Sequence, residues 1–160
     1  MCLAVGISAN RFKLKGEPKN GIFTVRDMKD HDAIQAYKKE RQVKSVAIIG
    51  AGFIGIEAAA AIKMTDPSIE VNVIDAGLLP VERVFGKDIG QTISETLSEG
   101  GVKLHMNNKV EGVTGNGDYV EGVEVSGPSG EKKTIPADLV LMAVGSKMDT
   151  IDFVKEAGLK

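Results

Sequence analysis

Apolar residues follow two different rhythms along this chain. Residues 43–49, 71–75 and 137–145 are short, nearly solid apolar runs. Runs of that kind, bounded by turn residues, mark strands buried on both faces. Residues 109–114, 119–126 and 132–135 instead alternate polar with apolar, separated by Gly115-Asn116-Gly117-Asp118 and Gly127-Pro128-Ser129-Gly130. Alternation broken by glycine-rich turns predicts a three-stranded antiparallel meander with one wet face. A helix follows the first solid run and ends near Met64, ahead of Asp66-Pro67, because the residue before proline leaves the helical region. A second helix is predicted over residues 88–98, stopped by Gly100-Gly101 and followed by a strand over 102–105. Upstream, residues 2–6 read as a short strand, 10–20 as a polar linker and 22–25 as another strand. Asp27 or Asp30 caps a helix running to about Arg41, with Met28, Ile34 and Tyr37 as its apolar stripe. Residues 76–86 read as a loop around Pro80, and residues 151–157 as a last short helix.

The junction after the first solid run carries the chemistry. It reads Gly50-Ala51-Gly52-Phe53-Ile54-Gly55 and then a run of small residues, Ala58-Ala59-Ala60-Ala61. A Gly-x-Gly-x-x-Gly between a strand and a helix, with an acid ending the next strand at Asp75, is a dinucleotide-binding fingerprint. Gly50 permits the tight turn, Gly52 leaves room for a pyrophosphate and Gly55 lets the helix approach the sheet. The helix start then offers free amides and partial positive charge to the phosphates. Phe53 and Ile54 are expected to supply backbone amides or packing at this turn, with side chains in the core. Asp75 is placed to accept from both adenosine ribose hydroxyls, and its charge would repel a 2′-phosphate, favouring NAD over NADP. The fold class that follows is α/β: a Rossmann-like parallel sheet with an inserted three-stranded antiparallel β-meander.

Composition narrows the reading further. The chain has 160 residues and a formal net charge of −2, so it offers no electrostatic case for nucleic acid or an anionic membrane. No apolar run reaches the roughly 18 residues of a membrane span. Cys2 is the one cysteine, which excludes a disulfide framework and points to an intracellular setting, cytoplasmic or mitochondrial. With two histidines, His31 and His105, no Ser/His/Asp hydrolase is assembled. His31 lies between Asp30 and Asp32, but consecutive residues at a helix start face different directions, so no catalytic or metal residue is assigned.

The order of elements resembles the NADH-binding domain of the pyridine nucleotide–disulfide oxidoreductase superfamily. The residues carrying the likeness are Ile22-Phe23-Thr24-Val25-Arg26, the glycine motif through Ile56-Glu57, Ile74-Asp75, the meander, and Ala137-Asp138 through Ala143-Val144-Gly145. Leu79-Pro80-Val81-Glu82-Arg83-Val84-Phe85-Gly86 is most similar to the ferredoxin-reductase and apoptosis-inducing-factor-like branch. The resemblance implies an FAD-dependent NADH oxidoreductase in which hydride passes from NADH to flavin and electrons pass on to a redox acceptor. It implies that residues 1–20 are a remnant strand and linker from a missing FAD domain, 21–145 the NAD(H)-binding domain, and 146–160 the start of the return to the FAD domain. On that reading the isolated chain binds NADH without turning it over; FAD belongs to the longer protein.

The resemblance also assigns roles residue by residue. Glu57 would lie near the nicotinamide end, with a helix-dipole acid as the plainer alternative. Arg83 would contact the adenosine ribose or adenine, against a solvated loop arginine, and would soften the preference set by Asp75. Val144 and Gly145 would let the nicotinamide side approach the backbone, against a plain turn. Two rivals stay open: a non-catalytic NAD(H)-sensing or interaction module, and a domain for another adenosine ligand such as S-adenosylmethionine, which has less need of a pyrophosphate turn.

Overall fold

The computed structural model describes residues 6–147, Val154 and residues 156–158. Its centre is a five-stranded parallel sheet. In chain order its strands are β2 (Ile22–Thr24), β3 (Ser45–Ile49), β4 (Glu70–Ile74), β5 (Val102–His105) and β9 (Leu139–Met142), and in space they run β2-β9-β3-β4-β5. From β3 the chain moves outward to β4 and β5 on one side, while β9 and β2 lie on the other. The order therefore switches beside β3, and the carboxyl ends of β3 and β9 bound a crevice of the sort where α/β sheets bind ligands.

The solid runs are solid because both faces are covered. Val46, Ile48, Val71, Val73, Leu139 and Leu141 pack toward the helices. These are α1 (Met28–Arg41), α2 (Phe53–Thr65) and α4 (Lys87–Glu99). The intervening Ala47, Ile49, Ile74 and Val140 point the other way, onto Val113, Val120, Val123, Val125 and Ile135 of the meander. That meander is β6 (Lys109–Gly115), β7 (Val120–Ser126) and β8 (Lys132–Pro136), antiparallel throughout. The result is three layers: helices, parallel sheet, meander. Asp138 fixes the start of β9 beside β3, its carboxylate accepting from the Lys44 and Ser45 backbone N–H groups (2.8 Å each) and the Ser45 hydroxyl (2.9 Å).

Several expectations are corrected. Residues 76–86 are not all loop: a four-residue helix, α3 (Glu82–Phe85), interrupts them. Met28 does not join the α1 stripe but is 70% exposed; it is the first helical residue, ahead of the turns that meet the sheet. Val25 lies outside β2. The linker and the exit from β9 are joined by a two-stranded antiparallel ribbon, β1 (Ser8–Ala9) with β10 (Ser146–Lys147). The strand expected over residues 2–6 lies outside the described residues apart from Gly6, and so does most of the helix expected over 151–157. Among the described residues no helix is long and apolar enough to cross a membrane.

Candidate functional site

A cleft of about 570 Å³ opens at the switch point, within the range of small-molecule sites, roughly 300–1,000 Å³. Its floor is the turn from β3 into α2: Ile49, Gly50, Ala51, Gly52 and Phe53. One wall is the end of β4 with the segment after it, including Asp75, Val81 and Arg83. The other is Ala143, Val144 and Gly145 after β9. Seven residues singled out in the sequence thus meet here: Gly50, Gly52, Phe53, Asp75, Arg83, Val144 and Gly145.

The three glycines of the turn have separate physical reasons. Gly50 has φ +109°, and a Cβ there would lie 2.4 Å from the Ala143 carbonyl oxygen, so both backbone angle and neighbour demand glycine. Gly55 is buried in α2, and a Cβ would sit 1.9 Å from the Gly50 carbonyl oxygen; it lets the helix start press onto the turn. Gly52 differs from both. Its φ is −79° and nothing lies within 4 Å of the place its Cβ would take. Among the described residues it is the one glycine with neither a positive φ nor a neighbour at that position. The fold does not need it; a group occupying the cleft would.

The amides above Gly52 are left open. The α2 N-cap is Gly52, with no side-chain cap and no acid in the first turn. The first helical hydrogen bond runs from Ile56 N–H to the Gly52 carbonyl at 3.0 Å. The Phe53, Ile54 and Gly55 N–H groups precede that bond, where a helix has no internal acceptors of its own. An anion of pyrophosphate shape fits this cradle: open space at Gly52, unclaimed amides and the positive end of α2.

Asp75 has partners the sequence did not reveal. One carboxylate oxygen accepts from the Ala51 N–H at 2.8 Å and the other from the Gly77 N–H at 2.6 Å. The acid therefore ties the glycine turn to the end of β4. Each oxygen has a second lone-pair direction, which stays available to a further donor. Arg83 is exposed on α3 rather than on a loop.

Three expected residues do not line the cleft. Glu57 is exposed on α2, away from the lining. Gly55 lies beneath the turn. Ile54 is 39% exposed and Phe53 46% exposed, so neither side chain is core: the helix starts at the cleft rim, and its first residues face outward before the buried face begins. The structure adds residues that sequence reasoning passed over. Phe12 lines the cleft from the linker. Asn10 donates through Nδ2 to the Val144 carbonyl (3.3 Å) and through its backbone N–H to the Gly145 carbonyl (2.9 Å). Asn108, 8% exposed, lines the wall near Asp75, whose carbonyl accepts from its backbone N–H at 3.0 Å. The Asn107-Asn108 pair after β5 was the available signal, since Asn107 takes a left-handed conformation, φ 55°, that asparagine tolerates.

Comparison with known proteins identifies the family. The family described as pyridine nucleotide-disulphide oxidoreductase matches across residues 1–160. An NADH oxidase from Methanocaldococcus jannaschii is 31% identical over 160 residues, covering 100% of this chain and 34% of the relative. A rubredoxin-NAD(+) reductase from Acinetobacter baylyi is 31% identical over 159 residues, covering 99% of this chain and 39% of the relative. A crystal structure of a ferredoxin reductase from Rhodopseudomonas palustris superposes with a TM-score of 0.84 at 25% identity, over 97% of this chain and 36% of that one. The chain spans between a third and two fifths of the length of these curated relatives.

Proposed function

The chain belongs to the pyridine nucleotide-disulphide oxidoreductase family, and we propose that it is the NAD(H)-binding domain, residues 21–145, of a longer FAD-dependent NADH oxidoreductase. The observation that carries this reading is Gly52: a glycine that the fold leaves unexplained, at the mouth of uncapped helix amides. The pyrophosphate would sit on the Gly52–Gly55 turn, with the amides of Phe53, Ile54 and Gly55 donating to it. Asp75 would meet the adenosine ribose with its remaining lone pairs while holding Ala51 in place. Arg83 would face the adenosine end, and Val144 and Gly145 the nicotinamide end.

Bound there, the nicotinamide would supply a hydride for a flavin held by sequence beyond this chain, with residues 1–20 and 146–160 leading to that FAD domain. The electrons would pass on to a redox acceptor. Nothing in the residues of the cleft accepts a hydride, so the chain alone binds NADH and does not oxidise it. Glu57 enters this scheme only once a second domain adjoins α2, since here it lies outside the cleft.

Calorimetric titration of the chain with NADH and with NADPH tests the reading. Saturable NADH binding is expected, with NADPH at least tenfold weaker, about 1.4 kcal/mol, and no change in NADH absorbance over time. Binding of neither nucleotide would overturn it.

A further inference from the structure

Between β4 and α4 the chain makes a detour that the parallel sheet does not require, and the detour is pinned to the glycine turn twice. At its start, Val81 is buried and left-handed, with φ 48°, a conformation that a β-branched residue adopts only where its surroundings impose it. The imposing contact is a hydrogen bond from Val81 N–H to the Ala51 carbonyl (3.0 Å). The Val81 carbonyl then opens α3 by accepting from Val84 N–H (2.9 Å) and Phe85 N–H (3.1 Å). At its end, the Phe85 ring meets Phe53, the first residue of α2, edge to face, with centroids 5.4 Å apart and planes at 90°. Four residues of helix cannot hold themselves in water; packing against α4 supports them, and these two attachments join them to the turn. Arg83 stands between them, exposed, lining the cleft, and among the described residues no carboxylate pairs with it.

We propose that α3 is an anchored strap that holds Arg83 over the anionic dinucleotide, and that Phe85 is a positioning residue acting through Arg83 by way of Phe53. The proposal rests on the dinucleotide reading above. Its physical content is preorganisation: a cation on a free loop loses part of its attraction to the entropy of being ordered on binding, whereas one on a pinned strap does not. The half-exposed aromatic pair at the rim belongs to neither hydrophobic core cluster.

Four variants of the whole chain, Phe85→Ala, Phe85→Tyr, Arg83→Ala and the double variant of Phe85→Ala with Arg83→Ala, are titrated with NADH. Separately, without nucleotide, each chain that retains Arg83 is digested with trypsin, which cuts after that residue. Loss of the aromatic pair should weaken NADH binding by Phe85→Ala about fivefold. The double variant should be no weaker than Arg83→Ala, and Phe85→Tyr should restore binding. Cleavage after Arg83 should speed up in Phe85→Ala while circular dichroism stays unchanged. NADH should protect that bond in the unmodified chain. Additive losses in the double variant, or an unchanged cleavage rate, would overturn the strap while leaving NADH binding intact. Failure of the unmodified chain to bind NADH would instead overturn the dinucleotide reading, and with it the ligand assigned to Arg83.

Discussion

Helix α1 is capped by Asp27, whose carboxylate accepts from the backbone N–H groups of Lys29 (2.9 Å) and Asp30 (3.1 Å). Helix α2 is capped by Gly52 and has no side-chain acceptor at its start. Both helices lie on the same face of the same sheet, and both leave free amides at the start as a matter of geometry. The first satisfies them from its own sequence, and the second leaves them to the cleft. Glycines draw the same contrast between the α2 turn and the meander. In the meander, a Cβ on Gly112 would lie 2.7 Å from the Lys15 carbonyl oxygen, and one on Gly122 2.7 Å from the Thr134 side chain. Those glycines are explained by the fold around them, whereas Gly52 is not. A residue type that the fold does not account for is a sharper pointer to a ligand than a motif read alone.

Substitutions can break this contrast or sharpen it. The largest effect should come from Gly55→Ala, where the new Cβ meets the Gly50 carbonyl oxygen at 1.9 Å. Overpacking of this kind costs about 2–3 kcal/mol, lowering the melting midpoint by roughly 5–10 °C for a chain of this size. NADH binding should be lost along with it. Gly52→Ala should separate the two effects. Its Cβ enters empty space, so the midpoint should hold within about 0.5 kcal/mol, while calorimetry shows NADH binding at least about tenfold weaker. Equal binding by this variant would remove the ground for placing phosphate on the turn.

The reverse separation is expected on α1. Asp27→Ala removes the cap and should cost about 1 kcal/mol in a denaturant titration, with NADH affinity unchanged. The smallest effect is a pH dependence at a side chain outside the cleft lining. His105 lies at the sheet edge, 2.9 Å from Asn72 Oδ1. Burial first, and the nearby Lys133 and Lys103 second, hold its imidazole below the ordinary value. The unfolded chain therefore takes up the proton before the folded one. This contribution to stability is full above about pH 6.5 and declines as pH falls below that. Melting midpoints at pH 7.5 and 5.5 should differ less in His105→Gln than in the unmodified chain.

The parallel strands were legible because their physical cause is local. A strand covered by helices on one face and a meander on the other must be apolar at every position, and that writes a solid run. The meander was legible for the opposite reason, one wet face and turn glycines. Helix α3 was not, because four residues cannot display a helical period. Nor was the outward turn of Phe53 and Ile54: an apolar pair at a helix start looks like core until the rim of the cleft is known. Met28 misled in the same way.

The sequence by itself determined the fold class, the main strands and helices in chain order, and the position of the glycine turn that we propose holds phosphate. Each of these is written in spacing within a few residues: glycines at fixed intervals, apolar runs, an acid ending a strand. Only the tertiary structure decided how the site is finished. It brought Asn10 onto the Val144 and Gly145 carbonyls, engaged both oxygens of Asp75 with backbone amides, and laid α3 across the turn through Val81 and Phe85. Those contacts join residues distant in sequence, and no local pattern records them, because their energy comes from pairings that exist only once the sheet has closed around β3.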